Sequence, residues 1–215
     1  MEYNLAEIRR AVAVDMLDDE EFDPAIIDRA INRAQREIFN QFELSFMEKI
    51  FSGIIPVNST IFKYPSDLAL PQNHVVTSPE GSQKNIESLY MPFRNFTAVY
   101  PNPANNEAGE ISRWTSYGGN ILTSAPTDRE YTLDLYYIKK PELLLADGDV
   151  PEIPEEFSEL LVLGAYIRIA KRNEDTDLAQ IALQDYAGQL NKLVERYGYR
   201  KTGPIKMQNK QIRTR

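Results

Sequence analysis

Apolar positions recur at helical spacing near the start of the 215-residue chain. Asn4 can cap a helix, Glu7 can reach back to that cap, and apolar residues then follow at intervals of three or four. Asp23 followed by Pro24 predicts the start of a second helix. Two helices are therefore expected within residues 1–52. The apolar stripe of the second comprises Ile27, Ala30, Ile31, Ala34 and Ile38.

Between residues 53 and 150 the pattern changes to short strand-like runs separated by proline and glycine. Residues 131–137 alternate with the period of a half-buried strand. Gly118 and Gly119 can supply the positive φ angles of a tight hairpin. We expect a small antiparallel β-module, a sandwich or a partial barrel. Its other strand candidates are Ile54–Val57, Ile61–Tyr64, His74–Thr77, Ile86–Met91, Phe96–Tyr100, Ile111–Thr115 and Ile121–Thr123.

Residues 151–198 return to helical spacing and predict two further helices. The first contains Leu160–Ile167, a run that is apolar on every face of a helix. Core packing is the default explanation, and burial against a neighbouring subunit is a sharper one. The candidate subunit-interface residues are Leu160, Leu161, Leu163, Tyr166 and Ile167. The whole pattern predicts an α+β protein: a bundle of two N-terminal and two C-terminal helices, an inserted antiparallel β-module and an extended C-terminal arm.

That arm, residues 199–215, follows a helix expected to stop at Gly198. The chain has 24 basic and 32 acidic residues, and the arm holds six basic and no acidic ones, so residues 1–198 hold 18 and 32, a net charge of −14. A basic segment on an acidic body, interrupted by Gly203 and Pro204, is typical of a partner-binding element, with a solvated tail as the alternative. Alternating Ile205 and Met207 suit strand addition to a partner's sheet edge. The candidate docking residues are Arg200, Lys201, Ile205, Lys206, Met207, Lys210, Ile212, Arg213 and Arg215.

Candidate catalytic residues are few. The chain has no cysteine, and its one histidine, His74, lies in an apolar strand-like run. A structural or exposed histidine is favoured over a catalytic base. The sequence has no glycine-rich phosphate loop, paired-histidine motif or calcium-loop spacing. We therefore expect no enzymatic activity, no cofactor and no metal ion.

Several runs resemble those of the tailed-bacteriophage head-to-tail adaptor (connector) proteins. The most telling stretch is Trp114–Leu122 with its double glycine, followed by Ala125-Pro126, Tyr131–Tyr137, Lys140-Pro141 and Leu143. Similar elements are Tyr64-Pro65 with Asp67-Leu68, Ile153–Phe157, the small pair Gly164-Ala165, and Asp185-Tyr186 before Leu190. These motifs are degenerate, but they extend over most of the chain.

The resemblance implies a structural virion protein that joins the capsid portal to the tail. Such adaptors form a ring, typically of twelve copies, whose C-terminal arms dock on the portal protein and whose opposite side receives the tail, tail tube or nozzle. DNA would pass through the channel without sequence-specific binding, along an acidic lumen that repels it. The protein would be made in the host bacterial cytoplasm and reside in the virion neck. The first residues lack a secretion-signal pattern and Leu160–Ile167 is too short to cross a bilayer, so we expect a soluble protein without a membrane partner.

Two other functions stay open on the residues. A carbohydrate- or peptidoglycan-active tail protein would need a carboxylate pair in a cleft beside aromatics, for which the candidates are Trp114, Tyr117, Tyr136 and Tyr137. Ordinary strand aromatics are favoured. A nucleic-acid-binding protein acting through the arm would need a contiguous basic surface beyond it. The stripe of Arg29, Arg33 and Arg36 favours a solvated helix face instead.

Overall fold

Two helices precede and two helices follow a set of antiparallel strands, which confirms the α+β class predicted from the sequence. The computed structural model describes residues 3–19, 21–173 and 176–198, so the predicted arm at residues 199–215 lies outside the described residues. The helices are α1 (Leu5–Arg10), α2 (Pro24–Gln41), α3 (Phe93–Val99), α4 (Glu159–Arg172) and α5 (Thr176–Tyr197). The strands are β1 (Glu48–Ile55), β2 (Ile61–Lys63), β3 (Leu68–Thr77), β4 (Gln83–Asn85), β5 (Trp114–Tyr117), β6 (Asn120–Thr123) and β7 (Tyr131–Lys139).

Local sequence signals start the two N-terminal helices as predicted. The Asn4 side chain accepts the Glu7 backbone N–H at 3.0 Å, and the Glu7 carboxylate accepts the Asn4 N–H at 3.3 Å, which completes a capping box. A π-helical segment, Ala11–Met16, continues α1. Asp23 caps α2 by accepting the Ala25 N–H at 2.9 Å. All five residues of the predicted apolar stripe of α2 are buried.

The apolar helix α4 is covered by the other long helices. It packs against α2 and α5, and every residue of Leu160–Ile167 is buried. A Cβ atom added to Gly164 would lie 2.8 Å from the Ala34 Cβ and 3.3 Å from the Tyr186 Cε2. The missing side chain therefore allows α2, α4 and α5 to approach closely. The finer description of these helices as a bundle stays a prediction.

The β-module consists of a four-stranded sheet, in the order β1-β7-β3-β4, and a three-stranded sheet, in the order β2-β6-β5. In β7, the odd-numbered positions from Tyr131 to Tyr137 are buried while Thr132 and Tyr136 are exposed, which confirms the predicted alternation. Gly118 and Gly119, with φ of 59° and 76°, form the two-residue turn between β5 and β6. The predicted glycine hairpin is therefore confirmed.

Two of the expected strands are wrong. Ile86–Met91 contains a 3₁₀ turn, Glu87–Leu89, and Phe96–Tyr100 lies mostly within α3. The Phe96 and Tyr100 rings meet one helical turn apart, with centroids 5.4 Å apart. This helical spacing prevails over the β propensity of the aromatic and β-branched residues there. At the other end of the module, β1 begins at Glu48, ahead of the predicted first strand.

Side chains of α2 hold the connection between β7 and α4. The buried Asn32 accepts the Leu144 N–H through Oδ1 at 2.9 Å and donates from Nδ2 to the Leu144 carbonyl at 2.9 Å. The Gln35 Nε2 donates to the Glu142 carbonyl at 2.7 Å. The connection therefore follows the surface of α2, and it fixes where the β-module meets the helices.

The crossing at Gly164 gives a direct test of this packing. We expect Gly164→Ala to lower the free energy of unfolding by about 1–3 kcal/mol, because the added methyl meets the Ala34 Cβ at 2.8 Å. Gly188 on α5 is the matched control, since no atom lies within 4 Å of its added Cβ. Gly188→Ala should raise stability by about 0.5–1 kcal/mol through helix propensity. Urea denaturation of both variants checks this, and equal effects at the two sites would contradict the close approach.

Candidate functional site

The five residues predicted to contact a neighbouring subunit lie inside a single chain. Leu160, Leu161, Leu163, Tyr166 and Ile167 are each at most 6% exposed. The first two belong to the core shared with α1 and α2, and the other three pack with the first half of α5. Core packing therefore accounts for their burial without a second subunit. Their contact with a neighbouring subunit stays a prediction.

The end of α5, at Arg196 and Tyr197, is the root from which the arm extends, and it is packed against the rest of the chain. The Tyr197 ring packs edge-on against Phe46 and Phe157, with centroid distances of 5.3 Å and 6.1 Å. The Tyr197 hydroxyl donates to the Glu156 carboxylate at 2.9 Å, and Arg196 pairs with the same carboxylate at 2.7 Å. These contacts mean that the chain reaches residue 198 from a defined position. The sequence does not reveal the partners of Tyr197, because Phe46, Phe157 and Glu156 are distant along the chain.

A groove opens beside this root. Gly198 forms an antiparallel bridge with Leu44, just after α2 ends. The groove has a volume of about 530 Å³. It is bordered mainly by apolar side chains from the end of α2, the start of β3 and the end of α5. Its lining includes Phe39, Phe42, Ala69, Leu70, Ile138 and Val194.

The only histidine lies between the two sheets. His74 on β3 is 2% exposed, with Nδ1 2.5 Å from a Glu87 carboxylate oxygen and Nε2 2.9 Å from the Tyr64 hydroxyl. Its ring centroid lies 4.5 Å from that of Trp114. Burial lowers the pKa of His74, although the hydrogen bond and the charge of Glu87 oppose this effect. Of the two readings favoured from the sequence, the structure therefore selects a buried structural histidine.

Of the four aromatics considered for a sugar platform, Trp114 and Tyr137 are buried, whereas Tyr117 and Tyr136 are exposed. Trp114 is buried and its indole N–H donates to the Ile86 carbonyl at 2.6 Å. Tyr137 is buried and its hydroxyl donates to Asp67 at 2.9 Å. Tyr117 is exposed but stacks on Phe93, with ring centroids 4.0 Å apart. These rings serve the packing of the module, as the favoured reading of strand aromatics predicts.

Sequence reasoning missed two exposed apolar features. Ile50 and Ile54 are 59% and 57% exposed on β1, the edge strand of the four-stranded sheet. The Leu145 side chain is 79% exposed, although its backbone N–H donates a hydrogen bond to the Asp149 carboxylate at 2.7 Å. Exposed apolar side chains on a fixed backbone are typical of protein contact surfaces. Three consecutive leucines, Leu143–Leu145, indicate in the sequence that apolar surface is present there. Only the structure shows that Leu144 is buried and Leu145 is exposed.

Neither a metal site nor a membrane span is found in the part of the chain that the structure describes. Across residues 3–19, 21–173 and 176–198, no three His, Asp or Glu side chains gather in a group that could hold a metal ion. Among the helices described there, none is long and apolar enough to span a membrane.

The described surface carries exposed apolar side chains on β1 and at Leu145 and a groove lined mainly by apolar residues beside Gly198. The chain belongs to the SU10 adaptor protein family, whose model matches residues 3–208. This is a family of bacteriophage head-to-tail adaptors, so the resemblance seen in the sequence is confirmed at the level of the family. Membership makes the protein a structural phage adaptor and implies a place in the virion neck, with contacts to portal and tail components. No curated protein sequence matches the chain significantly.

The His74 network predicts a stability that depends on pH. Because the folded-state pKa of His74 is lowered, the unfolded chain binds more protons below about pH 6.5, the ordinary histidine value. The free energy of unfolding is therefore highest above that pH and falls as the pH drops toward the folded-state pKa of His74. The total loss is about 1.4 kcal/mol for each pH unit by which the folded-state pKa lies below the unfolded-state pKa. Melting temperatures between pH 7.5 and pH 5 measure the slope.

His74→Gln is the control for this measurement, because it removes the titrating group and keeps hydrogen-bonding capacity. The variant should be less stable at pH 7.5, by about 1–3 kcal/mol, through its imperfect fit to the Glu87 and Tyr64 hydrogen bonds. It should also have a flatter pH dependence. An unchanged slope in His74→Gln would assign the pH dependence to other groups.

Proposed function

We propose that this protein forms a ring adaptor that joins the capsid portal to the tail and continues the DNA channel. The observation that carries the proposal is the match to the SU10 adaptor family over residues 3–208, which spans both helical segments and the β-module. In this proposal the ring has twelve copies, binds the portal protein on one side and receives the tail, tail tube or nozzle on the other. The role of the protein is structural, and DNA passes without sequence-specific binding.

The arm, residues 199–215, is the proposed portal-docking element. Its six positive charges complement an acidic groove or sheet edge of the portal, and Ile205, Met207 and Ile212 are its apolar anchors. The packed root at Tyr197 supports this assignment, because a fixed starting point lowers the entropy lost on docking. Copies in a ring would then present their arms at equivalent positions.

The proposed lateral interface lies beside α4. The apolar run Leu160–Ile167 supports this interface, and neighbouring copies bury about 1,000 Å² or more between them. The acidic residues of the body supply a lumen that repels DNA, so that the genome slides without sticking. Negative-stain imaging of the purified chain, with and without portal rings, tests the assembly. Rings stacked on the portal support the proposal, and a chain that stays monomeric in both samples overturns it.

Removal of the arm should separate docking from folding. We expect deletion of residues 203–215 to leave the melting temperature of the body almost unchanged, since the described core residues all precede the deletion. Portal affinity should fall sharply, by about tenfold or more, because the anchors are lost. Binding by the intact chain should also weaken as the salt concentration rises. Portal affinity at fixed salt is the measurement, and unchanged binding by the truncated chain would leave the arm as a solvated tail.

Point substitutions should rank the contributions within the arm. Replacing Ile205 and Met207 together by serine should weaken portal binding more than Lys206→Ser, because buried apolar anchors outweigh single charges at the rim. Lys206 is the control because it lies between the two anchors. A larger effect at Lys206 would make docking mainly electrostatic.

A further inference from the structure

A small basic hollow lies between α2 and α4. Its volume is about 90 Å³, and its lining includes four arginines, Arg29 and Arg33 from α2 and Arg168 and Arg172 from α4. The helical spacing of each pair brings its two side chains to the same side of the helix. The sequence favoured a solvated face for the basic stripe on α2. In the structure, two arginines of this stripe line the same hollow as two arginines of α4.

The positive charge of this hollow is not balanced within the described part of the chain. Arg168 pairs with Glu37 and donates to the Gly164 carbonyl at 2.7 Å, and Arg29 donates to the Ala25 carbonyl at 3.2 Å. Neither Arg33 nor Arg172 forms an ion pair with a carboxylate among residues 3–19, 21–173 and 176–198. Burial lowers the pKa of Arg168, and the nearby charge of Arg33 lowers it further. Four cations around one carboxylate would be stabilised by an additional anion.

The apolar part of the lining narrows the choice of anion. Ile26, Ala30 and Ile169 line the hollow together with the arginines. A lining that is both apolar and cationic fits a carboxylate on a short aliphatic stem, as in an aspartate or glutamate side chain. A DNA duplex would instead need a broad basic surface, and the net charge of −14 on residues 1–198 opposes its approach.

A complementary acidic segment lies on the same chain. It connects α1 to α2, and its exposed carboxylates form no ion pair with any described lysine or arginine. Two of them serve the backbone, since Asp19 accepts the Glu21 N–H and Asp23 caps α2. The remaining carboxylates therefore have their charge available to a neighbour. The described members are Asp15, on the π-helical continuation of α1, and then Asp18, Asp19, Glu21 and Asp23.

We propose that the acidic segment between α1 and α2 of one copy docks into the arginine hollow between α2 and α4 of the next copy. The inference rests on the proposed ring and names the contact that closes it. Because each copy carries both the acidic segment and the arginine hollow, the segment of one copy can meet the hollow of the next in a heterologous, head-to-tail contact, which is the kind that generates rings. Acidic bodies would otherwise repel one another at every lateral contact.

Substitutions that change the charge of each surface test the contact. The first variant is R33E/R172E, which changes exposed side chains outside the described ion pairs. The second is D15K/E21K, which leaves the cap at Asp23 and the positive φ of Asp18 untouched. R94E/K84E is the matched control, because it reverses two exposed charges on the β-module. Thermal melts confirm folding, and native mass spectrometry on portal rings counts the retained copies.

Each variant alone should weaken ring assembly by about tenfold or more, because R33E/R172E removes the net positive charge of the hollow and D15K/E21K lowers the charge of the described acidic residues from −5 to −1. The control should assemble as the wild type does.

Two results would overturn the inference. Normal rings from either variant would show that these charges do not form the contact. Wild-type binding to a 30-base-pair duplex that R33E/R172E abolishes without loss of rings would assign the hollow to DNA. A wild-type chain that forms no ring with portal overturns the proposed function as well, whereas the first two results leave the proposed ring unaffected.

Discussion

The helical part of this adaptor depends on the burial of a helix that has no polar face. Because Leu160–Ile167 is apolar all round, α4 is stable only where other elements cover every side of it. The stripe of α2 and the side chains of α1 and α5 supply that cover, and Gly164 lets the backbones approach closely enough to exclude water. One consequence is that the basic residues of α4 lie only toward its C-terminal end, where Arg168 and Arg172 line a hollow beside α2. The cover of the core therefore determines where a basic surface can form.

The β-module is organised around β7, which pairs with β1 on one side and β3 on the other. Four buried residues of β7, Tyr131, Leu133, Leu135 and Tyr137, form a shared core with Trp114 and Ile121 from the smaller sheet. His74 adds polar contacts at this junction, because its two ring nitrogens reach Glu87 and Tyr64. A protonatable group thus holds together elements that are distant in the sequence. This arrangement leaves β1 at an edge, where its isoleucines are exposed.

Features governed by short-range periodicity were predictable from the sequence. The capping box at Asn4, the proline start of α2, the alternation in β7 and the Gly118-Gly119 turn all depend on residues a few positions apart. The expected strand at Phe96–Tyr100 failed because strand propensity and helical spacing coexist in that segment. The partners of Tyr197, the balance of charge around Arg33 and the network of His74 depend on contacts between distant residues. Those contacts are set by tertiary packing, which one sequence does not reveal.

The connection held by Asn32 and Gln35 has a mechanical consequence. A tether of ordinary loop residues lengthens under tension at little cost, because only entropy opposes its extension. Here the segment around Glu142 and Leu144 is hydrogen-bonded along α2, so traction on the β-module must break these bonds before the connection can extend. A force applied to the β-module would therefore be transmitted to the helices with little extension of the connection between them.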